Sequence, residues 1–472
     1  MKKYNFIKFP LIAINIIISI CLIISVHNLN ILPTKHFLLF IGIIVIINIL
    51  SNLFLCLKKW LFRITGILLS IILIVISVIG ITYVKETDNF LETSFNNNKV
   101  EIASYNVLVL KDSSYQKIDD LKYKNLGILK FEKDSSVKLS EIVNTVEKEY
   151  EDLYDLYDAL IGENVDAILL DQAYINVLED DHSDLNEKIR ILYSFDIENE
   201  IEEDTKESVE LVRPINIYVS GSDSRSNYLS NKTRSDVNMI ISINPNSNEI
   251  LLTSIPRDYY VQVHGQTGLK DKLTHAGIYG VKVSAQTLED LFDIEIDYTI
   301  KVGMGAVTEV VDLVGGIEVY SDTKFKSYHL PGWVVEKGMN QMDGKKALAY
   351  ARERYAYASG DRHRIQNQQQ VLEAVLKKVL TNKSLLLKYD QLLASFSSLY
   401  LTDIPKEVIT EFVKEQLNTM EGWTFEKQWV DGKGASLPTH TAPRYKRYVM
   451  IPNEKDVLDA SSKIKELITK EW

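Results

Sequence analysis

The residues best suited to chemistry in this 472-residue chain lie in its C-terminal half: Asp223, Arg234, Asp236, Arg257, Arg352, Arg354, Asp361, Arg364 and Gln368. Five arginines against three aspartates, in a chain of net charge −11, point to a site for an anion together with a metal. The planar guanidinium fork matches phosphate oxygens and stays charged. Aspartates at strand ends suit Mg²⁺, a hard cation that takes carboxylates, water and substrate phosphate together. A diphosphate held this way has its charge neutralised and the bond to its leaving phosphate polarised. For any one of these residues the ordinary alternative is a surface salt bridge, with Arg352-Glu353-Arg354 as a solvated face. Lys272 and His275 form a weaker pair, since a lone histidine is more often structural than catalytic.

The elements that must position these groups can be read from periodicity. Ile215, Ile217 and Val219 alternate as a strand that ends before Asp223, and Val237 to Ile243 alternate as a second. Asn244 to Asn248 is a turn, and Ile250–Ile255 a third strand ending at Pro256-Arg257-Asp258. Folding strands two and three about Asn246 sets position 236 almost opposite 256, so Asp236 and Arg257 are expected to meet at one end of a sheet. Downstream, helices are expected over Ala306–Val314, Asp343–Tyr350 and Asp361–Leu380, with a short strand over Ile317–Tyr320. Arg352 and Arg354, two apart, share one side if their segment is extended. Asp361, Arg364 and Gln368 form a single polar stripe on the third helix, and Val371, Val375 and Val379 give an apolar face.

The rest of the chain is unlike this domain. Phe9–Val26, Phe37–Leu57 and Ile64–Val84 carry no charged side chain, and each is about long enough to cross a bilayer. About four fifths of the chain follows them, which excludes a polytopic transporter. Lys2, Lys3 and Lys8 precede the first span, and Lys58, Lys59 and Arg63 lie between the second and third, whereas the first loop has only Lys35. Basic short loops stay cytoplasmic, so the N-terminus is expected inside and everything after Val84 outside the cell. Both cysteines, Cys21 and Cys56, fall within spans, so the exported part has no disulfide. Beyond a polar spacer over Glu86–Lys99, alternating strand and helix patterns over residues 100–195 predict a small α/β domain. That domain includes a helical stretch over Leu139–Leu160 and a buried strand over Ala167–Leu170. Asp196–Glu210, with eight acidic residues and one lysine, reads as a solvated linker. The main domain then spans 211–460, with more α/β structure around Ile404, Val408 and Phe412, a closing helix near Val457–Ile468, and a tail over 461–472.

Several segments occur in a telling order: Gly221-Ser-Asp-Ser-Arg225, Thr233-Arg-Ser-Asp236, Ser254-Ile-Pro-Arg-Asp258, Lys272-Leu-Thr-His-Ala276, Val314-Gly-Gly-Ile317, Ala347-Leu-Ala-Tyr-Ala-Arg-Glu-Arg354, and Asp361, Arg364 and Gln368-Gln369. On these segments the chain resembles the LytR-CpsA-Psr (LCP) family over about 211–460, and most closely its CpsA-type capsule biosynthesis branch. The three spans and the accessory domain also fit that branch. The resemblance implies an α/β/α fold with a central mixed sheet and an apolar pocket for a polyprenyl chain. It implies Mg²⁺-dependent phosphotransfer of capsular polysaccharide from a polyprenyl-diphosphate carrier to a peptidoglycan acceptor. By matching motif, Asp223 and Asp236 would hold Mg²⁺. Arg234, Arg257, Lys272, Arg352, Arg354, Arg364 and Gln368 would bind the diphosphate, and Arg257, Asp236 and Asp361 would stand closest to the reaction. One departure is Asn367, where many members carry arginine.

The competing class is a regulator of capsule expression or chain length, acting as a lipid- or glycan-binding membrane protein rather than an enzyme. Direct binding of nucleic acid is not expected. The chain is acidic, its cytoplasmic parts are a short tail and a short loop, and no helix-turn-helix is evident.

Overall fold

Three apolar helices open the chain: α1 (Lys2–Leu29), α2 (Thr34–Cys56) and α3 (Trp60–Asn96). The computed structural model describes residues 2–30, 32–96, 100–130, 132–182, 184–200, 213–222, 229–357, 360–387 and 399–470. Each helix contains a stretch long and apolar enough to cross a membrane: Ile7–Leu29, Thr34–Cys56 and Trp60–Asp88. The third helix continues well past Val84, through most of the stretch expected to be a polar spacer. Polar side chains join the three. Asn15 Nδ2 donates to Ser70 Oγ (2.9 Å), the Ser51 and Ser70 hydroxyls meet at 2.7 Å, and Asn48 Nδ2 donates to Ser19 Oγ (2.7 Å). Lipid-facing helices gain little from apolar contact alone, so such bonds help to hold the bundle.

The second unit is a five-stranded sheet in the order β3-β2-β4-β1-β5. Its strands are β1 (Val100–Leu110), β2 (Asn125–Leu129), β3 (Val146–Tyr150), β4 (Ala167–Asp171) and β5 (Ile189–Glu200). It is packed by α4 (Lys133–Ser140), α5 (Leu153–Ile161) and α6 (Gln172–Asp181). β4 is buried throughout, as its uniform apolarity predicts. Two expectations need correction. Leu139–Leu160 is not one helix, because β3 divides it and pairs parallel with β2. The acidic stretch is not linker from its start, because β5 pairs antiparallel with β1 as far as Glu200. The remainder, 201–212, lies outside the described residues.

The main domain is built on a six-stranded mixed sheet in the order β12-β9-β6-β7-β8-β13. These strands are β6 (Ile215–Ser222), β7 (Val237–Asn244), β8 (Glu249–Ile255), β9 (Tyr298–Gly303), β12 (Tyr400–Thr402) and β13 (Thr424–Trp429). β9 runs parallel to β6 and β13 parallel to β8, while β7 is antiparallel to both β6 and β8. Period-2 alternation here sorts residues between two cores rather than between core and water. Tyr218, Ile240 and Leu251 face α7 (Val281–Phe292) and α12 (Glu454–Thr469). Ile217, Ile241 and Leu252 face α11 (Lys406–Thr419) and the C-terminal half of α10 (Asp361–Thr381). The result is the α/β/α sandwich that the resemblance implies. Residues 461–469 are no tail: Ile464 and Leu467 of α12 are buried in the first core.

A third cluster joins α8 (Met304–Leu313), β10 (Ile317–Ser321), β11 (Gly338–Met342) and α9 (Gly344–Arg352) to α10. The last pair of strands, β14 (Gly432–Pro438) and β15 (Lys446–Pro452), forms an antiparallel hairpin. The sandwich stands on the membrane bundle through α11. Lys406 pairs with Asp88 at the end of the third span, and Asn30 in the first loop bonds Glu411 and Lys414 (3.0 and 3.2 Å). The first loop and the end of the third span therefore lie on the same side as the large domain.

Candidate anion and metal site

The β7–β8 hairpin pairs Asn244 with Glu249 and Asn238 with Ile255. Continued by two residues, that register sets 236 opposite 257, one position from the expected partner. Arg257 Nη1 donates to Asp236 Oδ1 at 2.7 Å. Arg234 Nη2 is 4.0 Å from Asp236 Oδ2, Arg257 Nε is 4.0 Å from Asp258 Oδ2, and Lys272 Nζ is 3.7 Å from Asp258 Oδ1. The outcome is a chain of alternating charge, Arg234–Asp236–Arg257–Asp258–Lys272, at one end of the sheet. Asp236 is only 8% exposed, so its partners matter more than those of a surface carboxylate.

Backbone and buried polar groups hold this corner. Asp236 N–H donates to Gly221 O (2.8 Å), Ser235 N–H to Thr274 O (3.1 Å), and Thr274 N–H to Arg257 O (2.8 Å). The fully buried Lys301 ammonium donates to Asn231 O and Thr233 O at 2.5 and 3.2 Å, taking up carbonyls of the 229–236 loop. Gly277 lies so close that a Cβ there would be 2.3 Å from Thr233 O and 2.6 Å from Ser235 Oγ. Lys301 and Gly277 both shape the site, and neither stands out in the sequence. His275 is buried and bonds Asp271 at 2.7 Å, the structural role that a lone histidine usually has. Burial alone would raise Asp271, but His275 and backbone N–H groups hold it below the usual carboxylate range.

The second arginine pair is built differently from expectation. Arg352 is the last residue of α9, and only at Glu353 does the backbone become extended (φ −68°, ψ 127°). Arg352-Glu353-Arg354 is not a solvated face, because Glu353 is fully buried. Its carboxylate accepts the N–H groups of Tyr328 (2.8 Å), Arg354 (3.2 Å), Tyr355 (3.0 Å) and Ala356 (3.3 Å). It thus rivets the loop after α9 to the 327–330 loop. Arg354 packs on the Tyr355 ring, 4.9 Å from its centre, and donates to its hydroxyl at 2.8 Å. His329 sits beside both arginines, and burial first, then Arg352, lowers its pKa.

α10 ties the two groups to one frame. Buried Gln369 donates to Leu252 O of β8 (3.2 Å) and Gln428 O of β13 (2.7 Å). Asn367 is fully buried and donates to Tyr350 O (3.0 Å) in the last turn of α9. Arg364 and Gln368 are half-buried on the same helix. Asp361 is its first residue, with a side chain outside the described residues, and Asp223 lies wholly outside them.

The described residues gather no group of three or more His, Cys, Asp or Glu. Mg²⁺ does not require one, since it commonly takes one or two carboxylates plus water and substrate phosphate. Asp236 offers hard carboxylate oxygens at a strand end, with Arg257 donating to its Oδ1. β6 pairs Gly221 with Val237, so the chain leaves β6 at Ser222 directly beside Asp236. The donor type at Asp236 fits a Mg²⁺ ligand.

With this fold and this arginine–aspartate corner in place, the chain belongs to the LytR_cpsA_psr family, whose model matches residues 191–450. It is similar to the polyisoprenyl-teichoic acid–peptidoglycan teichoic acid transferase TagU of Bacillus cereus, with 36% identity over 211 residues, 44% of this chain and 64% of that protein. The TagU of Enterococcus faecalis is 32% identical over 192 residues, 40% of this chain and 62% of that protein. The chain thus spans less than two thirds of the length of these relatives. Among solved structures, Bacillus subtilis TagU aligns with a TM-score of 0.43 and 26% identity, covering 55% of this chain and 99% of that one.

Proposed function

We propose that the protein is a membrane-anchored transferase that moves a glycopolymer from a polyisoprenyl-diphosphate carrier to peptidoglycan at the outer face of the membrane. The observation that carries this reading is the Arg234–Asp236–Arg257 corner, in a chain of this family whose relatives are named for such a transfer. Capsular polysaccharide is the proposed polymer, because the three spans and the accessory domain resemble the capsule branch.

The chemistry follows from the groups present. Arg234, Arg257, Lys272, Arg352, Arg354, Arg364 and Gln368 bind and orient the diphosphate through charge-assisted bonds. An acceptor hydroxyl on peptidoglycan attacks the phosphorus that carries the glycan. A new O–P bond forms, the bridging P–O bond breaks, and a polyisoprenyl monophosphate leaves. The hydroxyl proton passes to a nearby base or to water, with Arg257, Asp236 and Asp361 closest to the reaction. Asp236 and Asp223 would hold Mg²⁺, which would supply charge neutralisation when bound.

The basic loop after the second span supports a cytoplasmic N-terminus and an outward-facing large domain. The deciding experiment is wall-bound polysaccharide in cells whose only family member is an Arg352→Ala, Arg354→Ala double variant. Loss of attachment with the protein still in the membrane is expected. Attachment at the normal level would remove the transferase reading and leave a binding protein.

A further inference from the structure

The accessory domain touches the anion site directly. Arg234 Nη1 donates to the backbone carbonyl of Asn176, in the middle of α6, at 2.8 Å. Asn176 is itself held from within that domain. Its Oδ1 accepts from Gln172 Nε2 (3.1 Å), Gln172 Oε1 accepts from Asn106 Nδ2 (2.9 Å), and Asn106 Oδ1 accepts from Ser194 Oγ (2.7 Å). A continuous polar path therefore runs from strands β1 and β5 through α6 to Arg234, then to Asp236 and Arg257.

The same helix is clamped at its far end. Arg447 of β15 pairs with Asp181, the last residue of α6, at 3.0 Å, and its guanidinium lies 4.9 Å from the Tyr154 ring centre and 5.4 Å from that of Tyr445. Tyr445 OH bonds Asp158 (2.9 Å), and Arg444 pairs with Asp155. Apolar contact continues the seam: Ile278 and Ala442 of the main domain are buried in the accessory domain's own core. A domain serving only as a spacer would not share its core with its neighbour, nor supply a carbonyl to an arginine of the site.

We infer that the accessory domain is part of the anion-binding site, and that its helix α6 acts as a positioning element which orients the Arg234 guanidinium toward a bound diphosphate. A guanidinium with one edge fixed by a carbonyl loses less freedom when its other donors meet phosphate. This inference rests on the diphosphate reading above and adds the role of the seam.

The test is a double-mutant cycle on the full chain in detergent, with a C20 isoprenyl diphosphate as the probe and its dissociation constant as the readout. Arg447→Ala loosens α6 without touching the ligand, and Arg234→Ala removes the oriented group. Each single variant should weaken binding on the order of tenfold, and the double variant should bind no more weakly than Arg234→Ala alone. Losses that multiply in the double variant, or an Arg447→Ala protein that binds like the unmodified one, would overturn the positioning role. Should Arg447→Ala not fold, Arg447→Lys keeps the charge opposite Asp181 but loses the planar stack on the two tyrosines, and the same cycle applies. An unmodified protein that takes up no isoprenyl diphosphate would sink the diphosphate reading itself. Binding with an additive cycle would sink only the inference about α6.

Discussion

Arg257 Nη1 meets Asp236 Oδ1 at 2.7 Å across the open end of a hairpin, although 21 positions separate the two residues in sequence. The turn at 244–248 sets this pairing, and the backbone bond from Thr274 N–H to Arg257 O keeps it in place. Arg257→Lys preserves the charge but not the fork. It should lower transfer roughly tenfold to a hundredfold, the equivalent of about 1.5–3 kcal/mol. Asp236→Asn should abolish the response of transfer to added Mg²⁺. Transfer by Asp236→Asn that still falls on chelation and recovers with Mg²⁺ would detach the metal from this carboxylate.

Glu353 gathers four backbone N–H groups from two loops. In Glu353→Gln the amide has one carbonyl oxygen and an NH₂ group that faces donors. We expect a stability loss of about 1.5–3 kcal/mol and a comparable fall in transfer, since Arg354 and Tyr355 lose their mount. Thermal unfolding and the transfer assay on one preparation check this. A variant unchanged in both would show that the carboxylate is dispensable.

Gly277 is needed for its lack of a side chain, not for its backbone angles. Gly277→Ala would push against Thr233 O, 2.3 Å from the added carbon. The cost should be about 1–3 kcal/mol by denaturant unfolding, with weakened diphosphate binding because the 233–236 loop moves. Gly280→Ala is a poor control, as its φ of 110° is itself unfavourable for alanine. Gly422→Ala, where nothing lies within 4 Å of the added carbon, should leave diphosphate binding untouched.

Glu132 gives the seam a pH dependence. Burial first, then the Asp171 carboxylate, pushes it up to about 8 from the usual 4.5, against the pull of Lys232. Tyr174 also interacts with it. A raised folded pKa means that the folded state holds the proton more tightly than the unfolded chain. The contribution is therefore complete below about pH 4.5 and is lost as the pH rises toward about 8. Glu132→Gln should flatten the stability profile across that window. An identical profile for both proteins would exclude Glu132 as its source.

Where local pattern and tertiary role agreed, the sequence was readable. The Asn-Pro-Asn-Ser-Asn turn and its flanking alternation located the Asp236–Arg257 meeting to within one position. β3 was missed because Val146-Glu-Lys-Glu-Tyr150 is an exposed edge strand, whose identity comes from backbone pairing with β2 rather than from apolar side chains. Glu353 looked solvated because its nearest neighbours in sequence are arginines, while one of its donors comes from Tyr328, 25 residues away. Lys301 was invisible for the same reason: it satisfies carbonyls of a segment distant in sequence. The boundary at 460 cut α12 in two, against the closing helix read near Val457–Ile468, whose apolar spacing of Val457, Ile464 and Leu467 runs across it.

The contacts from α11 to Asp88 and Asn30 set the height and heading of the sandwich above the bilayer. A domain on a slack tether would have to search for the head group of its donor in three dimensions. On the proposed transfer, a domain footed at two points on its own anchor leaves a lipid-borne donor to arrive by lateral diffusion, in a plane and at one depth, and part of the orientational cost of meeting it is met in folding.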